Sequence, residues 1–187
     1  KTLTHREMER LKEAASTSEN PFANVIITLF LDTGVRVSEL CALDRSSVDF
    51  DDLSATVREG KGNKDRLVLF TEETVAAIEA YTQIREIIVS RHVPSDEHRD
   101  ALILNRRGRR LTPRAVQKLM DTLADAADIP RSKLSPHTLR HNFATGLLER
   151  GMDLVSIQRL LGHANISTTR VYLEISDQSL REIYHRA

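Results

Sequence analysis

The chain has 187 residues, of which 40% are hydrophobic and 29% are charged, so it can bury the core of one ordinary globular domain or of two small ones. No run of about 18 uncharged apolar residues occurs and no signal-peptide pattern opens the chain, which argues against a membrane or exported protein and predicts a cytosolic one. The single cysteine, Cys41, excludes a disulfide framework and a Cys-rich zinc ribbon, and its apolar neighbours predict a buried small hydrophobe.

The formal net charge of zero hides an uneven distribution. Residues 1–100 carry 13 Lys/Arg against 19 Asp/Glu, whereas residues 101–150 carry 10 against 4. The zero total argues against a polybasic nucleic-acid binder, but residues 101–118 contain no acid and suit a phosphate backbone, or equally a solvated charged turn. The basic residues of this run are Arg106, Arg107, Arg109, Arg110, Arg114 and Lys118.

Helix signals open the chain. A capping box at residues 4–7 precedes apolar residues at helical spacing and predicts a first helix. The Asn-Pro pair at 20–21 offers a cap followed by proline, which predicts the start of a second helix that ends at Gly34. A short third helix is expected over 37–43.

The hydrophobic period changes to two between residues 47 and 70, with turn signals at 51–52 and 60–63. This pattern predicts a small three-stranded antiparallel meander whose second turn carries Lys61 between two glycines. The alternating apolar residues are Val48, Phe50, Leu53, Ala55, Val57, Leu67 and Leu69.

Helical patterns dominate the rest of the chain. A long helix is expected from Thr71 through Ile88, and a short strand over 101–104 leads into the arginine-rich turn. Further helices are expected at about 113–128, 136–150, 153–161, 168–173 and from 177 to the end. The predicted fold class is therefore mainly α with a small antiparallel β-sheet (α+β), in one domain spanning residues 1–187.

The strongest local signal for chemistry is the sequence SPHTLRH at 135–141, which places two imidazoles and a guanidinium at a helix N-terminus. Such a terminus offers N–H groups and a positive dipole end, Arg140 offers a fork for phosphate oxygens, and His137 can exchange a proton near pH 7. The sequence therefore predicts an anion site. The alternative is a core histidine beside an arginine in a surface ion pair.

The same two histidines, His137 and His141, are four residues apart, which is also the spacing of a helical zinc site. Thr138 stands where a zinc peptidase needs glutamate, and a third ligand would have to come from His163 or a distant carboxylate. We therefore predict no metal site.

Three residues outside this motif are ambiguous when each is taken alone. Arg36 lies among apolar neighbours and needs an anion, which either Glu39 or a bound phosphate would supply. Lys61 could reach from its turn into a cleft, although a solvated turn lysine is the simpler explanation. Tyr172, between Val171 and Leu173, fits a core residue with its hydroxyl at the rim.

Taken in order, four motifs resemble the tyrosine recombinases, or phage integrase family, and most closely the catalytic domain of the Xer-type members. The motifs are TGVRVSELCAL at 33–43, GKGNKDRLVLF at 60–70, SPHTLRHNFAT at 135–145 and LLGHANISTTRVY at 160–172. Each motif alone is weak, but four in this order are highly specific. Two departures, Val35 where leucine is frequent and VLF at 68–70 where a proline is common, leave the chemistry untouched.

The resemblance implies cleavage of a DNA strand through a 3′-phosphotyrosyl intermediate at Tyr172, with a free 5′ hydroxyl that can reverse the step. A phenol ionises near pH 10, so this nucleophile needs a proton acceptor and a positive field. The two motif arginines would hold the non-bridging phosphate oxygens in place of metal ions, and a lysine would protonate the leaving oxygen. No cofactor is implied. The implied catalytic residues are Arg36, Lys61, His137, Arg140, His163 and Tyr172.

The implied partner is double-stranded DNA, bound by a homotetramer that assembles on it from monomers, in the cytoplasm at the nucleoid. No membrane and no small-molecule cofactor is expected. The family's N-terminal clamp domain is expected to lie outside this chain, which predicts weak, salt-sensitive DNA binding by the chain itself. Residues 176–187 would pack either on a neighbouring subunit or on their own domain. The predicted DNA-contacting residues are Lys64, Arg106, Arg107, Arg109, Arg110 and Arg114.

Three other functions compete with this interpretation. A type IB topoisomerase-like enzyme would rejoin the same intermediate to its own strand. A DNA-binding module that has lost catalysis would show substitutions at the six catalytic positions, and none is present. A metal-dependent hydrolase would be sensitive to a chelator.

Overall fold

The computed structural model describes residues 2–58 and 65–162, and this part of the chain contains seven α-helices and one three-stranded antiparallel sheet. The mainly helical α+β prediction is confirmed. The predicted turn at 60–63 and the predicted helices at 168–173 and from 177 onward lie outside the described residues. The helices are α1 His5–Thr17, α2 Ala23–Thr33, α3 Val37–Ala42, α4 Glu72–Arg91, α5 Pro113–Ala127, α6 Pro136–Glu149 and α7 Leu154–Leu161, and the strands are β1 Val48–Asp49, β2 Ser54–Arg58 and β3 Asp65–Leu69.

Side-chain caps set the starts of five helices. In each, a Thr, Ser or Asp accepts a hydrogen bond from the backbone N–H three residues later, which satisfies one of the donors that a helix start leaves over. The predicted cap at Asn20 is wrong: its side chain accepts from the Phe22 N–H in a turn, and α2 begins at Ala23. The capping residues are Thr4, Thr71, Thr112, Ser135 and Asp153.

The sheet has the order β1-β2-β3, and its register pairs Val57 with Arg66 and Ala55 with Val68. Ala55, Val57 and Val68 are buried. Leu67 and Leu69 of β3 are instead 53% and 50% exposed, because side chains alternate along a strand and Arg66 and Val68 take the inward positions. A charged side chain thus lies on the core side of β3.

The predicted strand at 101–104 is present only as a fully buried segment with bends at Leu102 and Ile103. It forms two isolated antiparallel bridges, Asp44 with Ala101 and Leu104 with Arg110, rather than a ladder. Tyr81 of α4 fixes the segment, because its hydroxyl donates to the Leu104 carbonyl and accepts from the Leu104 N–H, each at 2.9 Å. The segment thus bridges Asp44, which follows α3, and Arg110 of the arginine-rich turn.

Helix α2 lies at the centre and packs against α1, α4 and α6. Most of its apolar side chains, including Ile26 and Phe30, are fully buried, and burying each such side chain stabilises the fold by roughly 1.5–3 kcal/mol. Helix α7 packs on α6 through a smaller core that includes Leu148 and Ile157, and it also contacts β3. No helix in the described ranges is long and apolar enough to cross a membrane. This packing brings the ends of α2 and α7, one face of α6 and the strand β3 to one place.

Candidate active site

The turn between α2 and α3 carries Arg36. Gly34 ends α2 in the left-handed conformation, with φ of 67°, and a Cβ at this position would overlap the ring of Phe143 on α6. Position 34 therefore requires glycine for two reasons: the left-handed backbone angle and the close approach of α6. Arg36 follows in an extended conformation as the N-cap of α3, and its side chain is 42% exposed.

Glu39 organises this turn from inside. Its carboxylate is buried, accepts from the Arg36 backbone N–H at 2.8 Å, and receives a two-point contact from Arg66 at 2.8 and 3.0 Å. The Arg36 guanidinium lies farther from it, at 3.7 Å. Burial would raise the pKa of Glu39, but the hydrogen bonds from Arg66 and the Arg36 backbone, with the charges of Arg66 and Arg140, outweigh burial and lower it. Arg66 is thus the main partner of Glu39, and Arg36 faces largely outward.

Helix α6 supplies the second part of the site. Ser135 caps it, and His137 lies exposed on its first turn. One turn farther on, Arg140 is only 4% exposed. Its guanidinium donates to the Gly34 carbonyl at 2.5 Å and to the Leu161 carbonyl at 2.6 Å. Arg140 is therefore fixed between the Arg36 turn and the end of α7, which confirms that these distant motifs meet in space.

The C-terminal end of α7 is the third part. Gly162 ends this helix in the left-handed conformation, and the last-turn carbonyls of a helix have no partner within the helix itself. Arg66 donates to the Leu160 carbonyl and Arg140 to the Leu161 carbonyl. Two cations thus cap the negative end of the helix dipole. His163, which follows Gly162 in the sequence, lies outside the described residues.

The two histidines of α6 differ in environment. His141 is buried, and burial, with a contribution from the nearby His137, lowers its pKa to about 4, so it is neutral at pH 7. The ring centroids of His137 and His141 are 6.5 Å apart. His141 is the core histidine, and His137 is the imidazole available for chemistry. Among residues 2–58 and 65–162, no group of three or more His, Cys, Asp or Glu is placed to hold a metal ion.

The residues predicted to contact DNA fall into different settings. Arg107, Arg109 and Arg114 are exposed, and so is Arg106, which donates to the Glu19 carbonyl at 3.2 Å. Arg110 instead donates to the carbonyls of Cys41 and Leu43 at 3.0 and 3.1 Å and pairs with Asp44. Its guanidinium holds the end of α3 against the arginine-rich turn. We call residues 106–114 the basic turn.

Four predicted site residues lie outside the described residues: Lys61, Lys64, His163 and Tyr172. Their positions stay predictions. Cys41 is buried as predicted, and burial raises the pKa of its thiol to about 11.

Sequence reasoning missed the role of Arg66. The signal was present in β3. Arg66 lies two residues before the buried Val68, so both side chains are on the same face of the strand, while the apolar Leu67 and Leu69 occupy the other face. A cation on the inward face of a strand requires an anion or carbonyl partner nearby. Glu39 was considered only as a partner of Arg36.

The chain matches the model of the Phage integrase family over residues 1–179. It is 37% identical over 179 residues to the tyrosine recombinase XerC of Corynebacterium glutamicum, with 95% of this chain and 55% of that protein covered. The crystal structure of XerA recombinase superimposes with a TM-score of 0.85 at 38% identity, covering 100% of this chain and 64% of that one.

A further solved structure is that of XerH site-specific recombinase bound to difH substrate in a pre-cleavage complex, with a TM-score of 0.77 at 27% identity over 92% of this chain and 49% of that one. The chain spans about half the length of the curated relatives it matches. The family model covers nearly all of the sequence, and the fold agrees with solved members. The chain therefore belongs to the phage integrase family, and its fold is that of a tyrosine recombinase catalytic domain.

Proposed function

We propose that the chain is the catalytic domain of a site-specific DNA recombinase, which cleaves and rejoins strands through a 3′-phosphotyrosyl link at Tyr172. The observation that supports this most is the position of Arg140. Its buried guanidinium bonds the Gly34 carbonyl, two residues before Arg36, and so brings together two cationic motifs that lie about a hundred residues apart in sequence. A fixed guanidinium beside an exposed one is suited to a phosphodiester whose charge grows during attack.

The described residues can supply two parts of this reaction. Arg36 and Arg140 hold the non-bridging phosphate oxygens, and because the planar group of Arg140 is fixed before the substrate arrives, little reorganisation of that group opposes the reaction. His137, exposed at the start of α6, accepts the phenolic proton as the Tyr172 oxygen bonds to phosphorus. The N-terminus of α6 adds a positive dipole end beside the same phosphate.

The remaining roles belong to residues outside the described ranges. As the bond from phosphorus to the 5′ oxygen breaks, Lys61 donates a proton to that oxygen, and His163 donates a hydrogen bond to a phosphate oxygen. The products are a tyrosyl 3′-phosphate and a free 5′ hydroxyl. The bond energy is kept in the phosphodiester, so a 5′ hydroxyl from another strand can attack and restore continuous DNA.

The environment of Tyr81 supports the choice of nucleophile. The sequence contains three tyrosines, and the hydroxyl of Tyr81 is buried in α4 with both of its hydrogen bonds made to Leu104. Burial also raises the pKa of Tyr81, which opposes formation of the phenolate. Tyr172 and Tyr184 are left as candidates, and only Tyr172 stands in the family motif.

We further propose that the partner is double-stranded DNA and that four copies assemble on paired sites. The crystallised XerH relative is bound to its difH substrate. In this chain the exposed arginines of the basic turn and Lys64 would contact the phosphate backbone, and each neutralised phosphate would release a counterion.

The test uses a nicked DNA substrate from which a short fragment diffuses away after cleavage, so that the covalent adduct accumulates. The unmodified chain should form an adduct on denaturing gels in the presence of a chelator. Tyr172→Phe should bind the same DNA and form none.

Tyr81→Phe and Tyr184→Phe are the matched controls, because each removes one phenolic oxygen elsewhere in the chain. Both should still form the adduct at a temperature where they are folded. An adduct that persists in Tyr172→Phe, or that requires a divalent metal, would contradict the proposed function.

A further inference from the structure

Arg66 makes a second link between the same two elements that Arg140 connects. Its Nε and Nη2 atoms donate to the two carboxylate oxygens of Glu39 at 3.0 and 2.8 Å, and its Nη1 donates to the Leu160 carbonyl. The side chain is only 7% exposed. Arg66 thus spans from the Arg36 turn to the last turn of α7.

Arg140 and Arg66 link the same two elements, but the proposed function gives only Arg140 a further role. Arg140 joins Gly34 to Leu161, and under the proposed function it must also bind phosphate. Arg66 joins Glu39 to Leu160 from β3, and its bidentate contact directs the guanidinium toward the carboxylate. The family's phosphate chemistry is thus assigned to Arg140, while Arg66 fixes the neighbouring backbone.

Three residues with roles in the proposed reaction lie close in sequence to Arg66 or to one of its two partners. Glu39 accepts from the Arg36 backbone N–H, so the carboxylate that Arg66 orients also sets the start of α3. Leu160 precedes His163 by three residues. Arg66 itself is the second residue of β3, five residues after Lys61 in the sequence. One guanidinium therefore touches the elements that lead to three separate catalytic side chains.

We propose that Arg66 is a positioning residue: together with Glu39 it holds the Arg36 turn, the strand β3 that follows Lys61 in the sequence and the end of α7 in one arrangement, without touching the DNA. This inference rests on the proposed function. Lysine cannot replace arginine here, because one ammonium cannot make the planar two-point contact and reach a carbonyl on another element at the same time.

The expected consequence is a loss of reaction rate with little loss of binding. Displacing a reacting group by about 1 Å can cost on the order of 100-fold in rate. We expect Arg66→Lys to lower the single-turnover cleavage rate at saturating DNA by about 10- to 100-fold, while the Kd for DNA changes by less than about threefold. Glu39→Gln should have a similar effect, and the double variant should be little worse than either single one, because the two residues act as one unit.

Arg85 provides the matched control. It too is a buried arginine, 5% exposed, whose guanidinium donates to the carbonyls of Ala101 and Arg99. Arg85→Lys should destabilise the fold about as much as Arg66→Lys in thermal unfolding but should leave the cleavage rate of the folded protein nearly unchanged. All rates are measured below the unfolding temperature of every variant.

Backbone hydrogen exchange provides a readout that does not depend on activity. In Arg66→Lys, amide protons at residues 36–40 and 157–162 should exchange faster than in the unmodified chain, whereas Arg85→Lys should spare both segments. Absence of an adduct with the unmodified chain would overturn the proposed function. The exchange pattern would still show whether Arg66 holds these two segments in place. Unchanged exchange at these segments, or full cleavage by Arg66→Lys, would overturn the positioning role.

Discussion

Two regions of this molecule are rich in arginine, and they differ in where the guanidiniums point. At the meeting of α6, α7 and β3, Arg66 and Arg140 are turned inward and donate to backbone carbonyls or to Glu39. In the basic turn, Arg107 and Arg109 are exposed. Under the proposed function, the first region is the reaction centre and the second is a surface suited to backbone phosphates.

The difference teaches that a run of basic residues in the sequence indicates a surface but does not place every guanidinium there, because acceptors on other elements decide which arginines turn inward. A buried guanidinium is tolerated only when acceptors surround it, so each one implies a structure built around it. Arg110 shows the same rule inside the basic turn, because its partners are Asp44 and the carbonyls at the end of α3.

The largest expected effect comes from replacing one arginine of each region with alanine and comparing the two variants. Arg140→Ala should lower single-turnover cleavage by more than about 100-fold, the scale for losing one preorganised donor to a developing charge. Arg107→Ala should leave the rate at saturating DNA within about twofold and weaken binding instead. Cleavage rates and DNA affinities of both variants, measured side by side, check this; a normal rate for Arg140→Ala would make it a structural arginine only.

Gly34→Ala should be the most destabilising of the small substitutions. It combines a left-handed backbone, costing about 1–2 kcal/mol for an alanine, with overlap against Phe143, costing roughly a further 1–3 kcal/mol. Gly151→Ala is the control, since Gly151 also has positive φ but has open space where a Cβ would lie. Urea unfolding should show the larger loss for Gly34→Ala, and equal losses would mean that the contact with α6 is not tight.

Within the basic turn, Arg110 and Arg109 should separate stability from DNA binding. Arg110→Ala removes three hydrogen bonds of a charged group and should cost about 2 kcal/mol of unfolding free energy. Arg109→Ala, at an exposed position, should change stability by less than about 0.5 kcal/mol but reduce the salt dependence of DNA binding by about one phosphate contact. Denaturant titrations and binding isotherms at several salt concentrations test both, and a stable Arg110→Ala that binds DNA poorly would reverse the assignment.

The smallest effect concerns the two histidines of α6. The pKa of His141 is lowered to about 4, mainly by burial, so between pH 6.5 and 4 the unfolded chain binds a proton that the folded chain does not. Stability should therefore fall as the pH decreases through this window, by about 1 kcal/mol between pH 7 and 5.5 from this group. Carboxylates whose pKa is lowered, such as Glu39, change the free energy of unfolding only below about pH 4.5, so they do not affect the comparison of stability between pH 7 and 5.5.

His141→Gln should flatten this pH dependence, whereas His137→Gln, at the exposed position, should retain it. Urea unfolding at pH 7 and pH 5.5 measures the difference for each variant. The same slope in the unmodified chain and in His141→Gln would show that His141 takes up its proton in the folded state as well.

The sequence predicted the fold where local rules dominate. Caps at Thr4, Thr71 and Ser135 and the stop at Gly34 set helix ends correctly, since cap geometry depends on a few neighbouring residues. The start of α2 was missed because Asn20 satisfies a turn N–H instead of a helix N–H. The buried segment at 101–104 was read as a strand, since its apolar run does not reveal that it pairs only at single bridges.

The motifs nominate residues for the candidate site, but they do not predict how those residues are connected. Arg36, His137 and Arg140 were found from motifs, but nothing local to them specifies that Arg140 would bond Gly34 and Leu161. Such contacts depend on the packing of α6 between α2 and α7, which is set by the whole core. Arg66 was missed for the same reason, because its partners lie 27 and 94 residues away in the sequence.

The most direct measurement of the central claim is identification of the residue and the DNA end that become joined. The trapped adduct is digested with protease and nuclease, and the modified peptide is sequenced by mass spectrometry. We expect the modification on Tyr172, linked to a 3′ phosphate, with a free 5′ hydroxyl on the released strand. A modified serine, histidine or other tyrosine, or a 5′-phosphate linkage, would contradict the account.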